Sequence, residues 1–199
     1  SSTGPFSDNI SGLSPATTYH FRAKAVGDGT SFGNDVTFTT STIPPAVTTS
    51  TATAVTTDSA TLNGSLDSLG TASSVQVSFE WGLDTNYGNE TAPGNLTAIG
   101  TFSANISGLS PATTYHFRAK AVGDGTTYGQ DGNFTTSTTP PSVTTNAATN
   151  VTTDSATLNG NLDSLGTASS VLVSFEWGLT TSYGSETTPG NFTTSGPFT

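Results

Sequence analysis

The sequence predicts an all-β protein built from tandem two-sheet sandwiches. Three observations predict it. Apolar and β-branched residues alternate with small polar ones, and no stretch keeps the 3.6-residue period of a helix. The segment Ser11–Thr30 returns residue for residue at Ser107–Thr126, an interval of 96 residues. Each interval holds about seven strand-like runs, the number that a small sandwich uses.

The repeat extends well beyond that segment. Thr56–Leu62 returns as Thr152–Leu158, and Leu66–Val75 as Leu162–Val171. Gly4-Pro5-Phe6 matches Gly196-Pro197-Phe198 two intervals away, so the 199 residues are two intervals plus a short overlap. A period this long is that of a small β domain rather than of a solenoid.

Within the middle interval the predicted strands are Val47–Val55, Ala60–Leu66, Val75–Trp81, a short run near Asn95–Ala98, Thr101–Ile106, Thr114–Val122 and Asn133–Thr136. Val75, Val77, Phe79 and Trp81 alternate with Gln76, Ser78 and Glu80, which places the first set in a core and the second in water. Tyr115, Phe117, Ala119 and Ala121 alternate in the same way with His116, Arg118 and Lys120. Gly123-Asp124-Gly125 reads as a hairpin turn, because Asp and Gly tolerate positive φ.

Leu109-Ser-Pro111-Ala-Thr113-Thr-Tyr115, repeated as Leu13-Ser-Pro15-Ala-Thr17-Thr-Tyr19, resembles the L-x-P-x-T-x-Y signature of fibronectin type III domains. The resemblance implies seven-stranded immunoglobulin-like sandwiches along the whole chain. It also implies a corner in which each Tyr hydroxyl bonds back to nearby backbone. The chain departs from the family in one respect. That family usually carries its core Trp on the second strand, where Leu62 and Leu158 stand here, whereas Trp81 and Trp177 lie on the third. The repeats also resemble those of prokaryotic surface proteins, which implies an extracellular setting.

Pro44-Pro45 and Pro140-Pro141 follow Thr-rich stretches and read as stiff, short linkers. They divide the chain into C-terminal strands of a split domain (1–43), one complete domain (44–139), and N-terminal strands of a split domain (140–199). Either split piece alone leaves one side of a core in water and strand edges unpaired. Three readings stay open at this stage: a window of a longer covalent array, completion of the split domain between separate copies, or disorder of both pieces.

Composition narrows the chemistry. There is no Cys, which removes disulfides, thiolate metal sites and Cys nucleophiles, and the two His make a multi-histidine metal site untenable. A formal charge of −10 with four Lys and Arg argues against nucleic acid and anionic membranes. No apolar run is long enough to insert into a membrane as a helix. No catalytic residue, cofactor or metal site is expected. His20 and His116 have no triad partners, Glu80 and Glu90 make an unconvincing glycosidase pair with Glu90 placed in a loop, and Asp28 and Asp124 are explained by their turns.

The basic residues Arg22, Lys24, Arg118 and Lys120 all fall on one strand type. The expected role is cross-strand charge pairing with Glu80 inside the middle domain. If copies complete one another, Glu176 meets Arg22 or Lys24 of a neighbour. Such pairs contribute roughly 0.2–1 kcal/mol each. Tyr87, Tyr183 and Tyr128 are candidates for exposed contacts, including glycans. Among the N-x-S/T sites, Asn95 and its period mate Asn191 are the best glycosylation candidates, with Asn63 and Asn89 behind them.

The functional expectation is a structural repeat unit of an extracellular filament, stalk or surface-layer protein whose partners are other copies of itself. The alternative is an adhesin or carbohydrate-binding accessory module of a larger secreted protein.

Overall fold

The computed structural model describes residues 3–199 and is all-β, with antiparallel pairing in every sheet whose register is defined. Residues 3–41 form β1 (Thr18–Phe21), β2 (Lys24–Val26), β3 (Thr30–Phe32) and β4 (Val36–Thr39). The middle repeat forms β5 (Ala46–Thr53), β6 (Ser59–Ser68), β7 (Val75–Gly82), β8 (Asn89–Glu90), β9 (Gly94–Leu96), β10 (Gly100–Ser107), β11 (Thr114–Val122), β12 (Thr126–Tyr128) and β13 (Gly132–Thr135). Beyond it lie β14 (Ser142–Thr149), β15 (Thr157–Ser164), β16 (Val171–Val173), β17 (Glu176–Trp177), β18 (Ser185–Glu186), β19 (Gly190–Phe192) and β20 (Gly196–Phe198). Two short strands, β8 and β12, had no alternating pattern to announce them, since neither exceeds three residues.

The chain divides into two units. The first runs to Thr53 and adds Thr61–Asn105 and Tyr115–Phe134; the second joins Ala54–Ala60, Ile106–Thr114 and Thr135–Thr199. The division crosses β6, β10, β11 and β13 rather than falling at the proline pairs. Backbone bonds from Leu109 N to Asp58 O (2.9 Å) and from Ser137 N to Thr56 O (2.9 Å) tie the three pieces of the second unit together.

In the first unit two sheets face each other as a sandwich. One has the order β10-β6-β5; the other has β12-β11-β7-β8 with β13 on β11 and β9 on β7. Leu66 from the first sheet packs with Val75, Val77 and Ala121 from the second, and Val47, Leu96 and Phe102 surround them. Phe79 and Phe117 are fully buried beside them, with ring centroids 6.3 Å apart. The period-2 alternation carries this arrangement: along β11 Tyr115, Phe117, Ala119 and Ala121 are buried, and the residues between them are half-buried on the outer face.

Residues 3–41 repeat part of that pattern. The Tyr19 and Phe38 rings stack at 5.7 Å, and Phe21 meets Phe38 edge-on at 6.0 Å. Their period mates give 5.8 Å for Tyr115–Phe134 and 6.0 Å for Phe117–Phe134. In the second unit, β14-β15-β20, β16-β19 and β17-β18 make three small sheets. Phe198 sits 4.9 Å from Phe175, as Phe102 does from Phe79.

The copies differ in the continuity of two strands. β11 is continuous over nine residues, but its period mate breaks at Arg22–Ala23 into β1 and β2. Likewise β7 is continuous over eight, and its mate breaks at Ser174–Phe175 into β16 and β17. In the middle repeat these strands are each other's partner. Where the partner is missing, the ladder bonds that keep a strand extended are missing too.

Candidate functional site

The seam between β7 and β11 carries most of the ion pairs among the described residues. Seven residue pairs join the strands, from His116 opposite Gly82 to Val122 opposite Gln76. Arg118 faces Glu80 directly, and its Nη2 and Nε donate to Glu80 Oε2 at 2.7 and 3.0 Å. On the other side of β7, Glu80 faces Glu90 of β8. Glu90 is therefore on a strand and not in a loop, because residues 83–88 turn tightly enough to bring β8 back onto β7.

Two carboxylates directly opposite one another repel. Lys120 settles the conflict, with Nζ 2.9 Å from Glu90 Oε2 and 3.4 Å from Glu80 Oε1. The Lys120 ammonium and the Ser78 hydroxyl, which donates at 2.7 Å, hold the Glu90 carboxyl below its usual range. The same contact with Glu90, and behind it the one with Glu80, pushes the Lys120 ammonium up.

Arg118 is also flanked by aromatic rings, 4.6 Å from the Tyr87 centroid and 3.8 Å from that of Tyr128. Burial raises the Tyr87 phenol, and so does Asp131, whose Oδ1 accepts its proton at 3.1 Å. Asp131 Oδ2 lies 2.8 Å from His116 Nδ1. Tyr87 and Tyr128, candidates for ligand contact in sequence, are thus stacked on a structural guanidinium.

The terminal copies hold the two halves of this seam separately. Arg22 lies 3.9 Å over the Phe32 ring, and His20 Nδ1 is 2.7 Å from Asp35 Oδ2. Among the described residues, neither Arg22 nor Lys24 has an ion-pair partner. Glu176 faces Glu186 across β17 and β18, as Glu80 faces Glu90, but residues 140–199 contain no Lys or Arg to stand between them. Trp177 is exposed and Trp81 is half-buried, whereas alternation placed both in a core. Trp81 is covered by Tyr115 of β11, 6.1 Å away, and among the described residues Trp177 has no such neighbouring strand.

The signature residues form corners. Tyr19 Oη accepts from Ser14 N at 2.8 Å, and Thr17 Oγ1 donates to Pro15 O at 2.8 Å near the half-buried Leu13. Thr113 Oγ1 donates to Pro111 O at 2.9 Å, and Leu109 and Tyr115 are buried. Of the glycosylation candidates, Asn95 and Asn191 are exposed on β9 and β19. Asn89 Nδ2 donates to Trp81 O at 3.3 Å. Asn63 is committed: its Nδ2 donates to Thr51 O and Thr53 Oγ1 at 2.9 and 3.0 Å.

Sequence reasoning missed Glu90, Asp131 and the two tyrosines as partners of the basic strand. The available signal was the recurrence of His–Asp fifteen residues apart, His20–Asp35 and His116–Asp131, which fits a strand returning beside its neighbour.

No protein-family model matches this chain, and no curated protein matches it. Solved structures of the sensor domain of the anti-sigma factor RsgI4 from Pseudobacteroides cellulosolvens do. One is 20% identical over 47% of this chain and 95% of that one, with a TM-score of 0.39. A second is 19% identical over 47% and 89%, at 0.37. A solution structure of the same domain is 18% identical over 47% and 75%, at 0.40.

Proposed function

We propose that this chain is a structural repeat protein of an extracellular filament, stalk or surface layer, built from tandem fibronectin type III-like sandwiches. It acts through contacts between repeats and not by catalysis. The observation that carries this reading is the recurrence of one linker contact after both Thr-rich stretches. At the first, Ile43 N donates to Thr71 Oγ1 (3.1 Å) and Thr71 N to Ile43 O (2.9 Å). At the second, Thr139 N donates to Thr167 Oγ1 (3.2 Å) and Thr167 N to Thr139 O (2.9 Å). Gly70 and Gly166 make both possible. Each has a positive φ, and a Cβ on either would come within 2.0 Å of the linker carbonyl. The same linker contact recurs after one interval of 96 residues, as a repeat protein requires.

Immunogold electron microscopy of the source cells, with antibody to this chain, tests the reading. Label along extracellular fibres or a surface lattice is expected. Label confined to the cell interior would overturn it.

A further inference from the structure

The two terminal segments are complementary halves of the sandwich that the middle repeat shows whole. Residues 140–199 supply the period mates of β5 to β9 and the start of β10; residues 3–41 supply those of β11, β12 and β13. Each half leaves open the face that its counterpart would cover. An open cleft of ≈ 670 Å³ is lined by Leu158, Phe175 and Trp177, and another of ≈ 630 Å³ by Ile10, Phe21 and Phe38. The middle-repeat mates Leu62, Phe79, Ile106, Phe117 and Phe134 are all buried.

Resting on the repeat-unit reading above, we propose that residues 140–199 of one copy and residues 3–41 of a second copy join into one completed sandwich, so that the chain associates head to tail. The occupant of each open face is another copy of this chain, because the seam is complementary in shape, register and charge. Applying the β7–β11 register to the terminal copies sets Phe21 against Trp177, Arg22 against Glu176, Lys24 against Ser174 and Val26 against Leu172. Lys24 then reaches the facing pair Glu176 and Glu186, which lacks a cation within its own half, as Lys120 reaches Glu80 and Glu90. Arg22, already over Phe32, gains Tyr183 on its other side, as Arg118 has Tyr87. The strands that break at Arg22–Ala23 and Ser174–Phe175 recover their ladder partner.

A contact made by two different surfaces repeats without closing, which gives a linear polymer.

Light scattering and Trp emission on the 199-residue chain test this, with Trp81→Phe leaving Trp177 (55% exposed) as the sole reporter. Dimers and longer species that grow with concentration are expected, together with a blue shift of Trp177. Glu176→Arg alone, and Arg22→Glu with Lys24→Glu alone, should each weaken association about tenfold or more, since like charges then meet across a seam. Mixing the two variants should restore pairing, because the intact head of one meets the intact tail of the other. A chain that stays monomeric to about 100 µM, weaker than a specific interface provides, overturns the proposal whether or not Trp177 is shielded. So does association that both charge variants leave unchanged. Neither result touches the immunogold test, so failure of this mode of joining is distinguishable from failure of the filament reading.

Discussion

Replacing Phe117 and its period mate Phe21 with Ala, one at a time, should give very different losses of stability. Phe117 is 0% exposed, 6.3 Å from the Phe79 ring and 6.0 Å from that of Phe134. Its removal leaves a cavity between two sheets that cannot collapse without breaking ladder bonds, so Phe117→Ala should cost about 3–5 kcal/mol. Phe21 is 53% exposed and touches Phe38 on one side only. Full burial of such a side chain is worth about 1.5–3 kcal/mol, so Phe21→Ala should cost about 1 kcal/mol or less in the dilute chain. Urea unfolding followed by far-ultraviolet circular dichroism reads the strands of all three segments, and so both positions. With a urea slope of about 1–3 kcal/mol per molar, Phe117→Ala should lower the midpoint by about 1 M or more, and Phe21→Ala should leave it nearly unmoved. Equal losses at the two positions would refute the claim that the same residue is core in one copy and an open face in the other.

Other outcomes follow from the same geometry. Glu90 has its carboxyl lowered, so its contribution is present above the ordinary value of 4.5 and is lost as pH falls through the lowered one. Lys120 is raised, so its contribution is complete below 10.5 and is lost as pH rises through the raised value. Unfolding midpoints across pH should fall at both ends, and Lys120→Met should remove the alkaline fall; an unchanged profile would count against the bridge. Gly70→Ala should detach the linker at Ile43, seen as faster amide exchange at Thr71, because the new Cβ meets the Ile43 carbonyl. In a host that glycosylates Asn, mass spectrometry should find sugar at Asn95 and none at Asn63, whose amide is held by Thr51 and Thr53; the reverse pattern would be inconsistent with the structure.

Strand periodicity made most of this fold legible in the sequence. The alternation Val75-Val77-Phe79 set the face of β7, and Tyr115-Phe117-Ala119 set that of β11, because a period of two admits no other assignment once one face is apolar. Trp81 and Trp177 escaped the same rule. Alternation states which face a residue occupies and not whether a neighbouring strand covers it. The charged seam was legible in residue type but not in stoichiometry. Glu90 sits in a Gly- and Asn-rich stretch with no strand pattern, and only the tight return after Gly82 brings it opposite Glu80. Tyr87, with φ of 61°, folds over Arg118 through a turn whose geometry no spacing rule announces.

Cysteine pairing across the seam tests the central claim most directly, because the chain has no Cys of its own. Residues directly opposite on antiparallel strands have Cα atoms about 4.5–5.5 Å apart, within reach of a disulfide. Glu80→Cys with Arg118→Cys is the internal control and should close a bridge inside one chain. Arg22→Cys with Glu176→Cys should instead give a ladder of dimers, trimers and longer species on a non-reducing gel, collapsing to monomer on reduction. A control that closes while the second variant stays monomeric would contradict completion of the sandwich between copies.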